Sequence, residues 1–430
     1  MSSKVLNRKE ERQRSFLDNG SILLEDLIAS CDGKSNPICC YSADELTRAT
    51  NNFDPSCIMQ DCSPTENSQF PSSIHVYGGY KMFRGFIHDR SIIVKKFMGT
   101  GDEAKSMAIR DIIISMQMSN HKNVLKLLGC CLESSVPALV HEYAMEGVLN
   151  DHGGLGGNEN YSSLPWKTRL RIAKQLANAL TYLHTAFPRP IIHRDLKPSC
   201  IFLGHDYVPK LTNFSLSISI PPMQSHVEDD LKGTFGYLDP SYMKSGYITE
   251  KSDVYSFGVH LLVFLTGQKV VDKYDAIEYQ SIIAYVKQHV SEIGQIQTIV
   301  DPKINEDVGG DEKVQQQLQD FLQLALSCTQ DEIERRPYMT DVARELINPY
   351  YHGKLNCVLL SDLVSKLPCL RKAERDVELS NHKNLKKDLK ASCIFFGHYY
   401  VPKLCNFSHS ITIPPMKSHV DDKVKDIWVP

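Results

Sequence analysis

Hydrophobic and polar positions divide the chain into a strand-rich first part and a helix-rich second part. In the first, Ser91-Ile-Ile-Val-Lys-Lys is a short apolar run flanked by polar residues, which predicts a strand. Glu103 to Met118 is expected to form a helix. In the second part, Leu164 to His184 places Trp166, Leu170, Ile172, Ala173, Leu176, Leu180 and Leu183 on one face of a long helix. Tyr255 to Leu265 is apolar almost all round and predicts a buried helix too short to span a bilayer. Between these helices lies Ile191 to Ser215, which reads as a buried strand, a polar turn with His193, Arg194, Asp195 and Lys197, a hairpin, and a second turn at Asn213-Phe214-Ser215. At the N-terminus, a charged opening from Arg8 to Arg14 precedes a short amphipathic helix beginning at Ser21. Ser42 with Glu45 forms a capping box for a second helix.

The 430 residues are enough for one two-lobed domain with extensions. Lys plus Arg number 48 and Asp plus Glu 51, a net charge of -3, so nothing points to a nucleic-acid partner. The 13 cysteines include no CxxC pair and no Cys/His metal spacing, and no signal peptide is evident; reduced thiols and no metal site are expected.

The stretch His193-Arg-Asp-Leu-Lys followed by Asn213-Phe-Ser resembles the catalytic loop and metal-binding loop of eukaryotic protein kinases, HRDLxxxN and DFG. The resemblance implies an α+β, bilobal protein-kinase fold with a small β-rich N-lobe and a larger helical C-lobe. It makes Asp195 the base for a substrate hydroxyl, with Lys197 beside the transferred phosphate. Lys95, in the pattern of the third strand, becomes the partner of the ATP α/β-phosphates. Asp111 becomes the acidic partner of Lys95 if one residue is inserted before Asn120, and Ala144 is carried over as a nucleotide-binding position in the hinge.

Departures from the pattern cluster on the nucleotide side. Cys200 stands where a metal-binding Asn is usual, and Asn213 where the metal-binding Asp is usual. A thiol and a neutral amide are poor partners for magnesium, which takes hard oxygen ligands. The three glycine positions of the phosphate loop hold His75, Tyr77 and Tyr80, whose side chains would hold the loop off a nucleotide or fill its space. Ile93 replaces the small residue above the adenine, and His141, at the gatekeeper position, reads as a packed core residue. Weak ATP binding at most and poor magnesium binding follow.

Glu228, Asp229 and Asp230 stand where related plant kinases tend to have threonines; they offer Arg194 a fixed acidic partner or form a solvated loop. In Asp239-Pro240-Ser241 a serine replaces the usual glutamate, so no ion pair to Arg336 is expected. Asp253 is expected to brace the catalytic-loop backbone.

The organisation read from the chain is an N-terminal extension with a short amphipathic helix (1–40), a pre-kinase segment and N-lobe (41–143), a C-lobe (144–348) and a linker (349–387). The last segment (388–430) is a duplicate: Asp388 to Asp422 repeats Asp195 to Asp229, with Cys393 and Asn406 at the two metal positions. Without partners for its apolar residues it is expected to be disordered or loosely docked. A fusion with a neighbouring gene copy is the alternative.

The phrases GSILLEDLIAS, DGKSNPI, NFSLSISIP and GTFGYLDPSYMKSGYITEKSDVYSFGV resemble the wall-associated-kinase-like group of plant receptor-like cytoplasmic kinases, most of all the ZED-related pseudokinases. That resemblance implies an adaptor in plant innate immunity that binds an NLR receptor and recruits receptor-like cytoplasmic kinases. The place implied is the cytoplasm or the inner face of the plasma membrane, with peripheral membrane association through a partner or through acylated Cys39 and Cys40. A weakly active serine/threonine kinase is the runner-up, and a nucleotide-binding switch without turnover a third reading.

Overall fold

The computed structural model describes residues 3–31, 37–63, 79–156, 162–273, 279–293, 296–308, 310–347, 393–396 and 402–405. It falls into two compact units, residues 1–366 and 367–430.

In the first unit a six-stranded sheet is followed by a helical lobe. The strands are β1 (Cys39–Cys40), β2 (Ile58–Asp61), β3 (Tyr80–Ile87), β4 (Arg90–Phe97), β5 (Leu127–Cys131) and β6 (Ala138–Glu142), in the order β1-β5-β6-β4-β3-β2. The β3–β4 hairpin turns through His88 and Asp89, both at positive φ, the twist that a two-residue turn requires. Exposed Cys39 and Cys40 run parallel to β5, whose Gly129 lies so close that a Cβ there would sit 2.1 Å from the Cys39 carbonyl oxygen.

The N-terminal helix is much longer than the short amphipathic one expected: α1 spans Ser3–Cys31. The charged opening, rich in Lys, Glu, Arg and Gln, consists of strong helix formers and extends the helix backwards. Three contacts fasten it. Arg12 makes a bidentate pair with Asp44 (2.7 and 2.8 Å) on α2 (Ala43–Ala49). The buried Asn19 amide donates to the carbonyls of Leu132 and Ser134, both at 2.9 Å. Leu23 and Leu27 pack against the core that also holds α3 (Asp102–Met118).

The larger lobe is built round α4 (Trp166–Thr185) and α6 (Glu250–Thr266), with α5 (Pro240–Ser245) between them and α7 (Ile282–Ile293), α8 (Pro302–Val308), α9 (Glu312–Cys328) and α10 (Met339–Ile347) beyond. Sixteen of the 17 residues of α6 are buried, which explains its apolar circumference. Arg169 of α4 is buried too, held by the carbonyls of Leu164 and Phe264 (2.7 Å each) and by Asp301.

The ion pair to Arg336 was expected to be lost, and here the structure corrects the sequence reading. Arg336 pairs bidentately with Asp239, both contacts at 2.7 Å, and also donates to Ser241 Oγ at 3.2 Å. Both charged side chains are fully buried. The carboxylate comes from two residues earlier in the chain, so the function survives the loss of the glutamate.

In the second unit, of the duplicated segment expected to be disordered, the described residues are two antiparallel strands, Cys393–Phe396 and Pro402–Cys405. Ile394, Phe395 and Phe396 face Leu404, Lys403 and Pro402, the register in which Ile201, Phe202 and Leu203 face Leu211, Lys210 and Pro209.

Candidate nucleotide and phosphoryl-transfer site

The polar turn after β7 (Ile191–Ile192) is held from below by α6. Asp253 accepts the backbone N–H groups of His193 (2.7 Å) and Arg194 (2.8 Å) and a 2.8 Å bond from His184. Burial pushes the Asp253 carboxyl up, but these donors outweigh it and hold it below the usual range. Arg194 takes φ 70°, and the turn thereby projects Asp195 into the cleft.

Asp195, Lys197 and Thr234 form one hydrogen-bonded group. Lys197 Nζ lies 3.0 Å from Asp195 and donates to Thr234 Oγ1 at 2.9 Å, while Thr234 donates to Asp195 Oδ1 at 2.6 Å. Burial alone would lower the proton affinity of Lys197; the Asp195 carboxylate reverses that and raises it, so the lysine stays charged. Thr234 was not singled out from the sequence, although its place in Gly-Thr-Phe-Gly, between the acidic run and Asp239, is a usable signal.

On the nucleotide side the groups satisfy one another. Lys95, with no exposed surface, donates to Asp111 Oδ2 and to Asn213 Oδ1, both at 2.6 Å. Asp111 also accepts the Phe214 N–H at 3.0 Å. Asp111, one methylene shorter than glutamate, thus still reaches Lys95. Asn213, at φ 67°, a conformation Asn tolerates, turns its amide nitrogen to Asp195 (3.3 Å) and to Cys200 Sγ (3.5 Å). One neutral amide thus spans Lys95 and Asp195, accepting from the cation and donating to the anion. Ser215 caps the same oxygen at 2.9 Å. Burial pushes the Cys200 thiol up to about 12, and its sulfur points to the Asp195 carbonyl at 3.2 Å.

These residues do not suit magnesium. A protonated thiol is a poor ligand, and the amide oxygen of Asn213 is already committed to an ammonium group. No cluster of three or more His, Cys, Asp or Glu able to hold a metal occurs among the described residues.

Apolar side chains crowd the same side of the cleft. Tyr80, at the third glycine position, turns inward, with Lys95 Nζ 3.9 Å from its ring centroid. His75 and Tyr77 lie outside the described residues. Met82 and Ile93 above, Ala144 in the hinge, and Phe202 of β8 (Ile201–Leu203) below belong to one apolar cluster with Tyr80, and Met82, Ile93 and Phe202 retain no exposed surface. Cys62, just past β2, comes within 3.8 Å of Ser199, so the N-lobe strand rests on the floor of the cleft. His141 is fully buried beside this cluster, and neither ring nitrogen has a hydrogen-bond partner.

This arrangement of loops and lobes agrees with comparison to known proteins. The family model described as "Protein kinase domain" matches residues 81–347. The chain belongs to the protein kinase family. Within it, the chain is 43% identical to serine/threonine-protein kinase ZRK1 of Arabidopsis thaliana, over 79% of this chain and 93% of that protein. It is 42% identical to the non-functional pseudokinase ZED1 of the same plant, over 79% of this chain and 97% of that protein. Wall-associated receptor kinase 5 is more distant, at 33% identity over 80% of this chain and 44% of that protein. The ZRK/ZED relatives thus include both proteins named as kinases and proteins named as pseudokinases. No helix among the described residues is long and apolar enough to cross a membrane.

Proposed function

We propose that this member of the ZRK/ZED group is a pseudokinase acting as an adaptor in plant innate immune signalling, scaffolding an NLR receptor and partner kinases at the cytoplasmic side of the plasma membrane. The observation that carries the non-catalytic part is the Asn213 bridge. Where a working kinase needs an anionic ligand facing magnesium, the amide joins Lys95 to Asp195 and leaves neither dependent on a metal. Tyr80 over Lys95 adds a steric block to the same place. Loss of a single well-placed electrostatic contact costs on the order of a hundredfold in rate, and here several are missing. The adaptor part, with its receptor and kinase partners, rests on the likeness to the ZED-related pseudokinases.

A second reading, a serine/threonine kinase of low activity, is favoured by the assembled Asp195, Lys197 and Thr234. Thermal-shift titration with ATP, with and without magnesium, separates the two, because a ligand at a hundred times its dissociation constant stabilises the folded state by about 2.7 kcal/mol. The wild type is expected to show no shift. The triple variant Tyr80→Gly, Cys200→Asn, Asn213→Asp is expected to gain a magnesium-dependent one. A magnesium-dependent shift in the wild type that Lys95→Ala abolishes would favour the kinase reading and call for a phosphoryl-transfer assay with Asp195→Ala as control.

A further inference from the structure

The activation segment runs from the metal-loop position to Asp239; its middle, around fully exposed Met223, projects outward, and its second half is anchored. Its strand β9 (Val227–Glu228) pairs with β10 (Tyr247–Ile248). Directly after it, Asp229 Oδ2 meets Arg194 Nη1 at 2.7 Å. The Arg194 side chain is only 2% exposed. Its other terminal nitrogen bonds Tyr242 Oη at 2.6 Å and the Asp230 carbonyl, and Tyr242 also takes the Lys232 N–H at 3.1 Å.

Of the three acidic residues, only Asp229 engages Arg194 through its carboxylate. Glu228 is exposed and is held through its backbone; Asp230 is exposed and contributes its carbonyl. A second guanidinium, Arg110 of α3, lies close by. Burial and the repulsion of Arg194 lower its proton affinity, and Asp229 partly restores it. Lys232, three residues further on, approaches Glu103 of the same helix at 3.6 Å.

We propose that Asp229 takes the place of a phosphorylated residue, so that the segment from Val227 to Asp239 is held against the catalytic loop, α3 and α5 without phosphorylation. A buried guanidinium left without a counter-charge is costly, which makes the carboxylate a structural requirement and not a solvated surface group. A phosphate would bring nearly two charges to this place, whereas the carboxylate brings one; Arg110 also donates to the Ser215 carbonyl at 3.4 Å. The acid cannot be removed by a phosphatase, so the surface formed by this segment is presented permanently. This holds whether or not the cleft admits a nucleotide.

Hydrogen–deuterium exchange by mass spectrometry on residues 227–238 tests the idea, using the full chain. Phosphatase-treated wild type is expected to keep the segment protected. Asp229→Ala should accelerate exchange there by roughly tenfold or more, the loss of a charge-assisted bond. Asp229→Asn, which keeps the shape but not the charge, should loosen it as well. Peptides from Glu250–Thr266 serve as an internal control for the fold, and Glu228→Ala should change nothing. If Asp229→Ala exchanges within twofold of wild type, if Asp229→Asn matches wild type, or if phosphatase treatment alone releases the segment, the proposal is overturned.

Discussion

His141 is a buried imidazole whose two nitrogens find no partner, set beside the Lys95–Asp111 pair. Burial lowers its pKa to about 4, against a smaller upward pull from Asp111, and buried His260 is lowered to about 4 for the same first reason. The folded-state values lie below the ordinary 6.5 of the unfolded chain. Between pH 6.5 and about 4 the unfolded chain therefore binds protons that the folded chain refuses, and stability falls as pH falls through that window. Below the folded values the loss levels off. Calorimetry of His141→Met should show a higher melting temperature than wild type at pH 7, by the equivalent of about 1 kcal/mol, since an unsatisfied polar group is removed. The variant should also fall less steeply between pH 7 and 4.5. A lower melting temperature at every pH would mean that the ring makes a contact the protein needs. The motifs around this residue can be read from the chain, because Lys95, Asp195 and Lys197 sit at recognisable spacings. That Asn213 would accept from one of them and donate to another depends on its φ of 67° and on how far α3 approaches, and neither is written locally.

At the level of elements, the Asp239–Arg336 pair ties the start of α5 to the loop before α10. Because both side chains are fully buried, Asp239→Ala would leave a guanidinium in the core with no counter-charge. A destabilisation of about 3–5 kcal/mol is expected in urea unfolding. Ser241→Ala, which removes only the 3.2 Å contact, should cost about 1 kcal/mol or less. Equal costs for the two would place the anchor at the serine after all. Motif spacing misassigns the partner because it matches a letter to a position, whereas Arg336 responds to the nearest carboxylate in three dimensions. The length of α1 escapes the sequence for a related reason: its first half has no apolar stripe to read, and the helix is fastened by Arg12 and Asn19 to residues 32 and 113 positions away.

For the whole molecule, the duplicated segment tests how much of a fold a short sequence can carry. Its two four-residue strands keep the parent register. In the parent the equivalent residues Ile201, Phe202 and Leu203 are fully buried by the rest of the domain, and a lone two-stranded hairpin is marginal in water. Truncation after Lys366 is accordingly expected to leave the thermal midpoint of the kinase domain unchanged in a melting scan. A clear drop would show that the tail contributes to the folded unit.

The order of strands and helices, the kinase relationship and the loss of the metal-ligand letters are all present in the chain itself, because periodicity and motif spacing are local properties. The consequences of those losses are not. Whether missing ligands leave an open, unpaired site or a closed one depends on which groups meet across the cleft. The tertiary structure brings Asn213 between Lys95 and Asp195, Tyr80 over Lys95, and Asp229 onto Arg194. Tyr80 reaches Lys95 across one hairpin, whereas Lys95–Asn213 and Arg194–Asp229 join residues 118 and 35 positions apart. Burial decides these contacts, because a charge withdrawn from water must find a partner wherever the fold supplies one.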